Sequence, residues 1–170
     1  PGYTYLWSTG GNSQTETGGL VDFTGTGLTM NFLSHTGAAI TVARIDTLPN
    51  MNPVGPDSVF EAQYWVVNRY GTGNYNANMT FTVAEDLTTG DQNAPSIISL
   101  YRRGNNADTN WAFLASAGSV NAATDQATFS GITVSGQFII ARETEPAGIQ
   151  LDLTVLLEGP FNGSEMNTTL

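Results

Sequence analysis

The chain has 170 residues, no cysteine, five arginines, no lysine and 15 acidic groups, for a formal net charge of -10. That length is enough for one domain with a full hydrophobic core. The missing cysteines exclude disulfides and thiolate metal sites. The acidic field repels phosphate backbones and anionic bilayer surfaces, so neither nucleic acid nor membrane insertion is expected, whereas Ca²⁺ and neutral glycans are tolerated.

Charged residues are only 12% of the chain. Thr, Ser, Asn and Gly supply the polar surface instead, an economy that fits an extracellular or cell-surface (secreted) module better than a cytosolic enzyme. No apolar run is long enough to span a bilayer. The sequence starts at Pro1 without an initiator Met, and it reads as a processed product or a piece of a longer secreted protein.

In chain order, Tyr3, Tyr5 and Trp7 alternate with Thr4, Leu6 and Ser8, a short aromatic strand. Leu28, Met30 and Phe32 alternate with Thr29 and Asn31. The turn HTGA then leads to AAITVARI, and the two runs are expected to pair as a hairpin. Residues 47–58 hold three prolines and no periodicity, which predicts a loop crossing between sheets. Residues 59–69, VFEAQYWVVNR, form the organising strand of the expected fold: Phe60, Ala62, Tyr64 and Val66 on one face, Glu61, Gln63, Trp65 and Val67 on the other. Both faces carry large apolar groups, so the strand should be central. Met79, Phe81 and Val83 alternate with threonines. Further strands are read at IISLYRR, WAFLA, Ala127 to Phe129, GQFIIARE and, near the end, IQLDLTVLL, in which Ile149, Leu151, Leu153, Val155 and Leu157 share a face.

About ten short strands separated by Gly/Asn/Pro turns predict an all-β, immunoglobulin-like β-sandwich with Greek-key-like connections. The division expected is 1–19 as a terminal strand or junction, 20–143 as the sandwich core and 144–170 as a last strand and junction. Its core should include Phe32, Val42, Tyr64, Val66, Phe81, Leu100, Phe138 and Ile140.

Two stretches carry a resemblance. YTYLWSTG followed by SQTET resembles a phrase in the tandem immunoglobulin-like repeats of gliding adhesins and other surface proteins of the Bacteroidota. A plain aromatic edge strand accounts for the same residues. GTGLTMNF, VARID, YWVVN, LYRR with Trp111, and SGQFIIA together resemble β-sandwich modules of large secreted or cell-surface proteins of that group, including adhesin-like repeats and cargo of type IX secretion. The closing LEGPFNGSEMNTTL is similar to a junction in such proteins. The resemblance implies a non-catalytic module and carries over no binding residue.

No catalytic set is expected. His35, the only histidine, sits in a turn without a Ser/Asp pair at recognisable spacing. Glu61, Glu85, Asp86 and Asp152 could pair for glycoside hydrolysis only if two flanked a cleft, and solvated strand faces explain them better. For Ca²⁺ the loop EDLTTGDQN offers Glu85, Asp86, Asp91 and Asn93, and GNNADTN offers Asn105, Asn106 and Asp108. Neither has the EF-hand spacing, and Asx turns explain both. Tyr70, Tyr75 and Trp111 at loop edges could stack on a sugar, or else cap the sandwich. Tyr3, Tyr5 and Trp7 are candidates for assembly, with neighbouring modules or copies of the same chain as partners. A spacer or adhesive function is thus the first reading, and a carbohydrate-binding module of a secreted polysaccharide-degrading enzyme the alternative.

Overall fold

The computed structural model describes residues 19–143. They form two antiparallel sheets packed as a β-sandwich, eleven strands in all among the described residues. One sheet has the order β1-β2-β6-β10-β9: β1 (Gly19–Phe23), β2 (Leu28–His35), β6 (Tyr75–Thr82), β10 (Gln126–Ile132) and β9 (Ser119–Asn121). The other has the order β3-β5-β11-β7-β8: β3 (Ala39–Ile45), β5 (Tyr64–Tyr70), β11 (Gly136–Arg142), β7 (Ile98–Arg103) and β8 (Ala112–Ser116). The two-residue β4 (Ser58–Val59) pairs with the end of β11.

β6 shows why the first sheet has one dry and one wet face. Tyr75, Ala77, Met79 and Phe81 are buried, and the residues between them are half-exposed. On the wet face Thr80 and Thr128 of the adjacent strand share a hydroxyl hydrogen bond of 2.9 Å. On the dry face Trp65, Phe81, Phe129 and Phe138 interlock edge-on or tilted, with Phe81 touching the other three at centroid distances of 4.8, 5.9 and 6.3 Å. Such aromatic pairs add about 0.5–1.5 kcal/mol each beyond area burial. The Trp65 indole N–H donates to the Thr26 carbonyl at 2.8 Å, tying the second sheet to the β1–β2 turn of the first.

The second sheet is different, because β11 is buried on both faces. Phe138 and Ile140 enter the inter-sheet core, whereas Ile139 and Ala141 join Tyr64, Tyr101 and Trp111 in a separate apolar cluster. Strand geometry sends alternate residues to opposite faces, so this second cluster lies on the outer side of the sheet.

Three expectations are corrected. β2 and β3 do not form a hairpin: β2 pairs with β1 and β6, and β3 pairs with β5. The turn between them crosses between sheets beside the β5–β6 connection. There the Thr36 N–H and hydroxyl donate to the Asn74 carbonyl, and the Thr36 hydroxyl accepts from Asn74 N–H. The two turns approach so closely that a Cβ on Gly73 would stand 2.1 Å from the Thr36 carbonyl oxygen. The proline-containing loop after β3 does not cross; it stays with the second sheet, between β3 and β4. The stretch 59–69 is not one strand either. A turn at Glu61 and Ala62 breaks it, so Phe60 reaches the inter-sheet core while Tyr64 faces the outer cluster.

Of the expected core, Phe32, Phe81, Leu100, Phe138 and Ile140 lie buried between the sheets, and Tyr64 is buried on the outer side. Val42 and Val66 are only half-buried. The strand read at 149–157 lies outside the described residues. Phe81→Ala is expected to lower stability by about 3–5 kcal/mol in chemical denaturation, as for other fully buried Phe side chains. A loss below about 1 kcal/mol would contradict its place at the centre of the aromatic cluster.

Candidate functional site

The outer face of the second sheet holds the least ordinary chemistry of the molecule. A guanidinium is buried there. Arg103, 2% exposed, ends β7 on the outer side. Its Nε donates to Gln137 Oε1 at 2.6 Å and one Nη to Asn106 Oδ1 at 2.8 Å. Its flat face lies 4.4 Å from the centre of the Trp111 ring, within cation–π range. Burial lowers the Arg103 pKa, and the neighbouring Tyr64 and Asp108 act against that. The Asp108 carboxylate is itself engaged, accepting from the amides of Gly104 and Asn105 at 2.8 and 3.1 Å. This is the Asx-turn use of the GNNADTN residues.

Trp111 in turn anchors the loop between β3 and β4. Its indole N–H donates to the Met51 carbonyl at 2.6 Å. Asn50 Nδ2 donates to the Asn106 carbonyl at 3.0 Å, and Asn52 Nδ2 to Glu61 Oε1 at 2.7 Å. Pro49 and Pro53 are buried, while Leu48, Met51 and Val54 are exposed by 52%, 45% and 93%. The loop thus covers the outer apolar cluster and turns three large apolar side chains to solvent.

Three expected ligand-binding aromatics are placed far apart in role. Tyr70 ends β5 and is 56% exposed. Tyr75 does not stand at a loop edge as expected. It is 2% exposed in the inter-sheet core and donates its hydroxyl to the Val134 carbonyl. Burial raises its pKa well above the ordinary tyrosine value, against the opposing pull of Arg69 and Arg102. Trp111 is likewise buried, under Arg103 and the loop, so neither ring offers a free face. The alternation YNANMTFT marked Tyr75 as inward-facing; nothing local marked Trp111.

The four residues offered for Ca²⁺ also separate. Asp91 is 2% exposed at the third position of the one-turn helix α1 (Thr89–Asn93), in a reciprocal cap with Thr88. Its carboxylate accepts from Thr88 N–H at 2.7 Å and from Arg142 at 2.7 and 2.9 Å. Burial pushes this carboxyl up. The hydrogen bonds from Arg142 and from the Thr88 backbone and hydroxyl outweigh that, and the net shift is downward. Glu85 accepts from Glu61 N–H at 3.0 Å, and Asp86 and Asn93 are exposed. Asp91 is therefore committed to closing the end of the sandwich, where Arg142 also lies 5.1 Å from the Phe60 ring. Among the described residues no three His, Cys, Asp or Glu side chains converge on a metal-sized site. His35 packs edge-on to Phe32 at 5.3 Å. Asp152 and the aromatic set Tyr3, Tyr5 and Trp7 lie outside the described residues.

Sequence reasoning missed Arg103, Gln137 and the loop residues Leu48, Met51 and Val54. The loop shows apolar residues among its prolines, but no strand or helix spacing that would place them. Arg103 had no signal, since its acceptors come from a neighbouring strand and a turn.

Tyr101 also belongs to the outer cluster and donates its hydroxyl to Glu143 at 3.0 Å. Burial and that carboxylate push its pKa up to about 12. The neutral phenol is thus favoured in the folded state, and this stabilisation fades as pH rises past about 10.

Asp91→Ala is expected to cost about 2–3 kcal/mol at neutral pH in urea, combining a lost cap with an ion pair whose arginine is partly solvated. The folded-state pKa of Asp91 is below its unfolded value, so the contribution is complete above about pH 4 and disappears as pH falls through the folded value. The gap between wild type and variant should therefore close in acid. A gap that stays constant to about pH 2 would show that the anion is not what the fold stabilises.

No protein family model, curated protein or solved structure matches this chain.

Proposed function

We propose that this chain is a non-catalytic structural or adhesive module of an extracellular or cell-surface protein, a spacer or assembly domain of the immunoglobulin-like kind. The single observation that carries the reading is the outer face of the second sheet. Its one buried guanidinium and its aromatic rings are committed to holding a loop. That loop then presents Leu48, Met51 and Val54 outward. Large apolar side chains carried outward on a loop suit contact with another protein surface. The sparse charge supports an extracellular setting, as does the resemblance to secreted sandwich modules of the Bacteroidota. Tyr3, Tyr5 and Trp7 are proposed to make the contact between successive modules or copies by adding a strand to a neighbour. A carbohydrate-binding role has less support, since of its three aromatic candidates only Tyr70 has an exposed ring.

Light scattering over a concentration series tests this. The mass of the full chain should rise with concentration, and deleting residues 1–8 or replacing Leu48, Met51 and Val54 together by Asn should suppress the rise while the melting temperature holds. A strictly monomeric chain would overturn the assembly reading. Retention on polysaccharide that is lost in Tyr70→Ala would favour the carbohydrate module instead.

A further inference from the structure

The bond between Asn52 and Pro53 leads to an inference that is independent of the proposed function. It is the one Asn–Pro bond of the sequence, and it lies in the loop over the outer apolar cluster. An asparagine ordinarily ages when the amide nitrogen of the next residue attacks its side-chain carbonyl carbon. Pro53 has no N–H, so that route is closed. The intramolecular route left to Asn52 is the reverse one. Its Nδ2 attacks its own backbone carbonyl carbon, which closes a five-membered ring and cuts the chain.

A base for that attack is already in place. Asn52 Nδ2 donates to Glu61 Oε1 at 2.7 Å, inside the reach at which a carboxylate takes a proton from a nucleophile. Glu61 stands in the turn that breaks the stretch 59–69, and its own N–H is fixed on Glu85 Oε1 at 3.0 Å. The loop is also held on both sides of the bond. The Met51 carbonyl accepts from the Trp111 indole at 2.6 Å, and the Pro53 ring is buried. Asn52 is half-buried between them. Fixing nucleophile and base against each other is what makes an otherwise slow intramolecular step productive. A cut here would leave the sandwich joined. β3, ahead of the bond, pairs with β5 behind it along its whole length, and β2 pairs with β6.

We propose that the chain cuts itself between Asn52 and Pro53, with Asn52 Nδ2 as the nucleophile and Glu61 as the base. The bond from Nδ2 to the Asn52 carbonyl carbon forms as Glu61 takes a proton from Nδ2. The tetrahedral carbon then releases the Pro53 nitrogen, which takes that proton from Glu61 as the C–N bond breaks. No water and no co-reactant is consumed. The products are residues 1–52, ending in a succinimide ring, and residues 53–170, beginning with a prolyl secondary amine. Water opens the ring afterwards. Each chain reacts once, and the loop that carries Leu48, Met51 and Val54 gains two free ends while the sheets stay paired.

The test is intact-mass spectrometry of the full chain, denatured after days in warm neutral buffer with protease inhibitors. Two fragments that meet between residues 52 and 53 are expected, with masses that add up to that of the intact chain until the ring opens. Before denaturation they should elute together as one folded particle. Asn52→Ala should stay whole. So should Asn52→Gln, which keeps an amide for Glu61 but would have to close a six-membered ring. Glu61→Gln keeps an acceptor yet takes no proton, and it should slow the cut by about a hundredfold, the lower end of what general acid–base catalysis contributes. If Glu61→Gln lowers the melting temperature, Asn52→Gln decides by the same readout. A native chain that stays whole overturns the proposal. So do fragments that persist in the Asn52 variants, which would mark a contaminating protease, and an unchanged rate in a folded Glu61→Gln.

Discussion

Both sides of β11 must be kept from water, and much of the architecture answers that requirement. GQFIIAR is buried from Gly136 through Ala141. One sheet packed on another can cover only one of its faces. Phe138 and Ile140 meet the five-stranded sheet through the Phe81 cluster. Ile139 and Ala141 need a second cover, which comes from Trp111, Tyr64, Tyr101 and the loop carrying Met51. The sandwich therefore has a partial third layer made of loop rather than of sheet or helix.

That third layer explains where the polar chemistry has gone. A loop over an apolar face needs its backbone groups satisfied. Trp111 satisfies one of them, the Met51 carbonyl, while the Asn50 side chain ties the loop to the Asn106 carbonyl and Asn52 to Glu61. Arg103 lies over Trp111 with its charge spread over neutral oxygens and an aromatic face. At the end of the sheet, Arg142 and Asp91 seal the inter-sheet core beside Phe60. Arg103 and Arg142 are thus both engaged in holding the fold. The exposed large apolar side chains include Leu48, Met51 and Val54 of the loop and the ring of Tyr70.

Legibility in the sequence followed the asymmetry of each strand. β6 was readable because YNANMTFT separates its two faces cleanly. β5 was not, because apolar groups on both faces give the same pattern across the break at Glu61 and Ala62, and periodicity alone cannot place a turn inside such a run. The pairing of β2 with β6 rather than with β3 depends on contacts forty or more positions apart, which a local hairpin signal outweighs on paper. The cap at Thr88 and Asp91 has a recognisable spacing, but the arginine that gives Asp91 its value sits 51 positions later. Tyr75 could have been assigned inward from its strand. Trp111 required knowing that a distant loop would lie over it.

The central claim, that the loop is a cover held by the sheet rather than a free connection, is most directly tested by chymotryptic cleavage after Met51 in the native chain and in Trp111→Ala. The Met51 side chain is 45% exposed, so access is not the barrier. Removing the indole deletes the bond to Met51 and the ring beneath Arg103. Cleavage in the loop is predicted to accelerate by about tenfold or more while near-ultraviolet dichroism of the inter-sheet aromatics persists. Equal cleavage rates in the two proteins would contradict the claim.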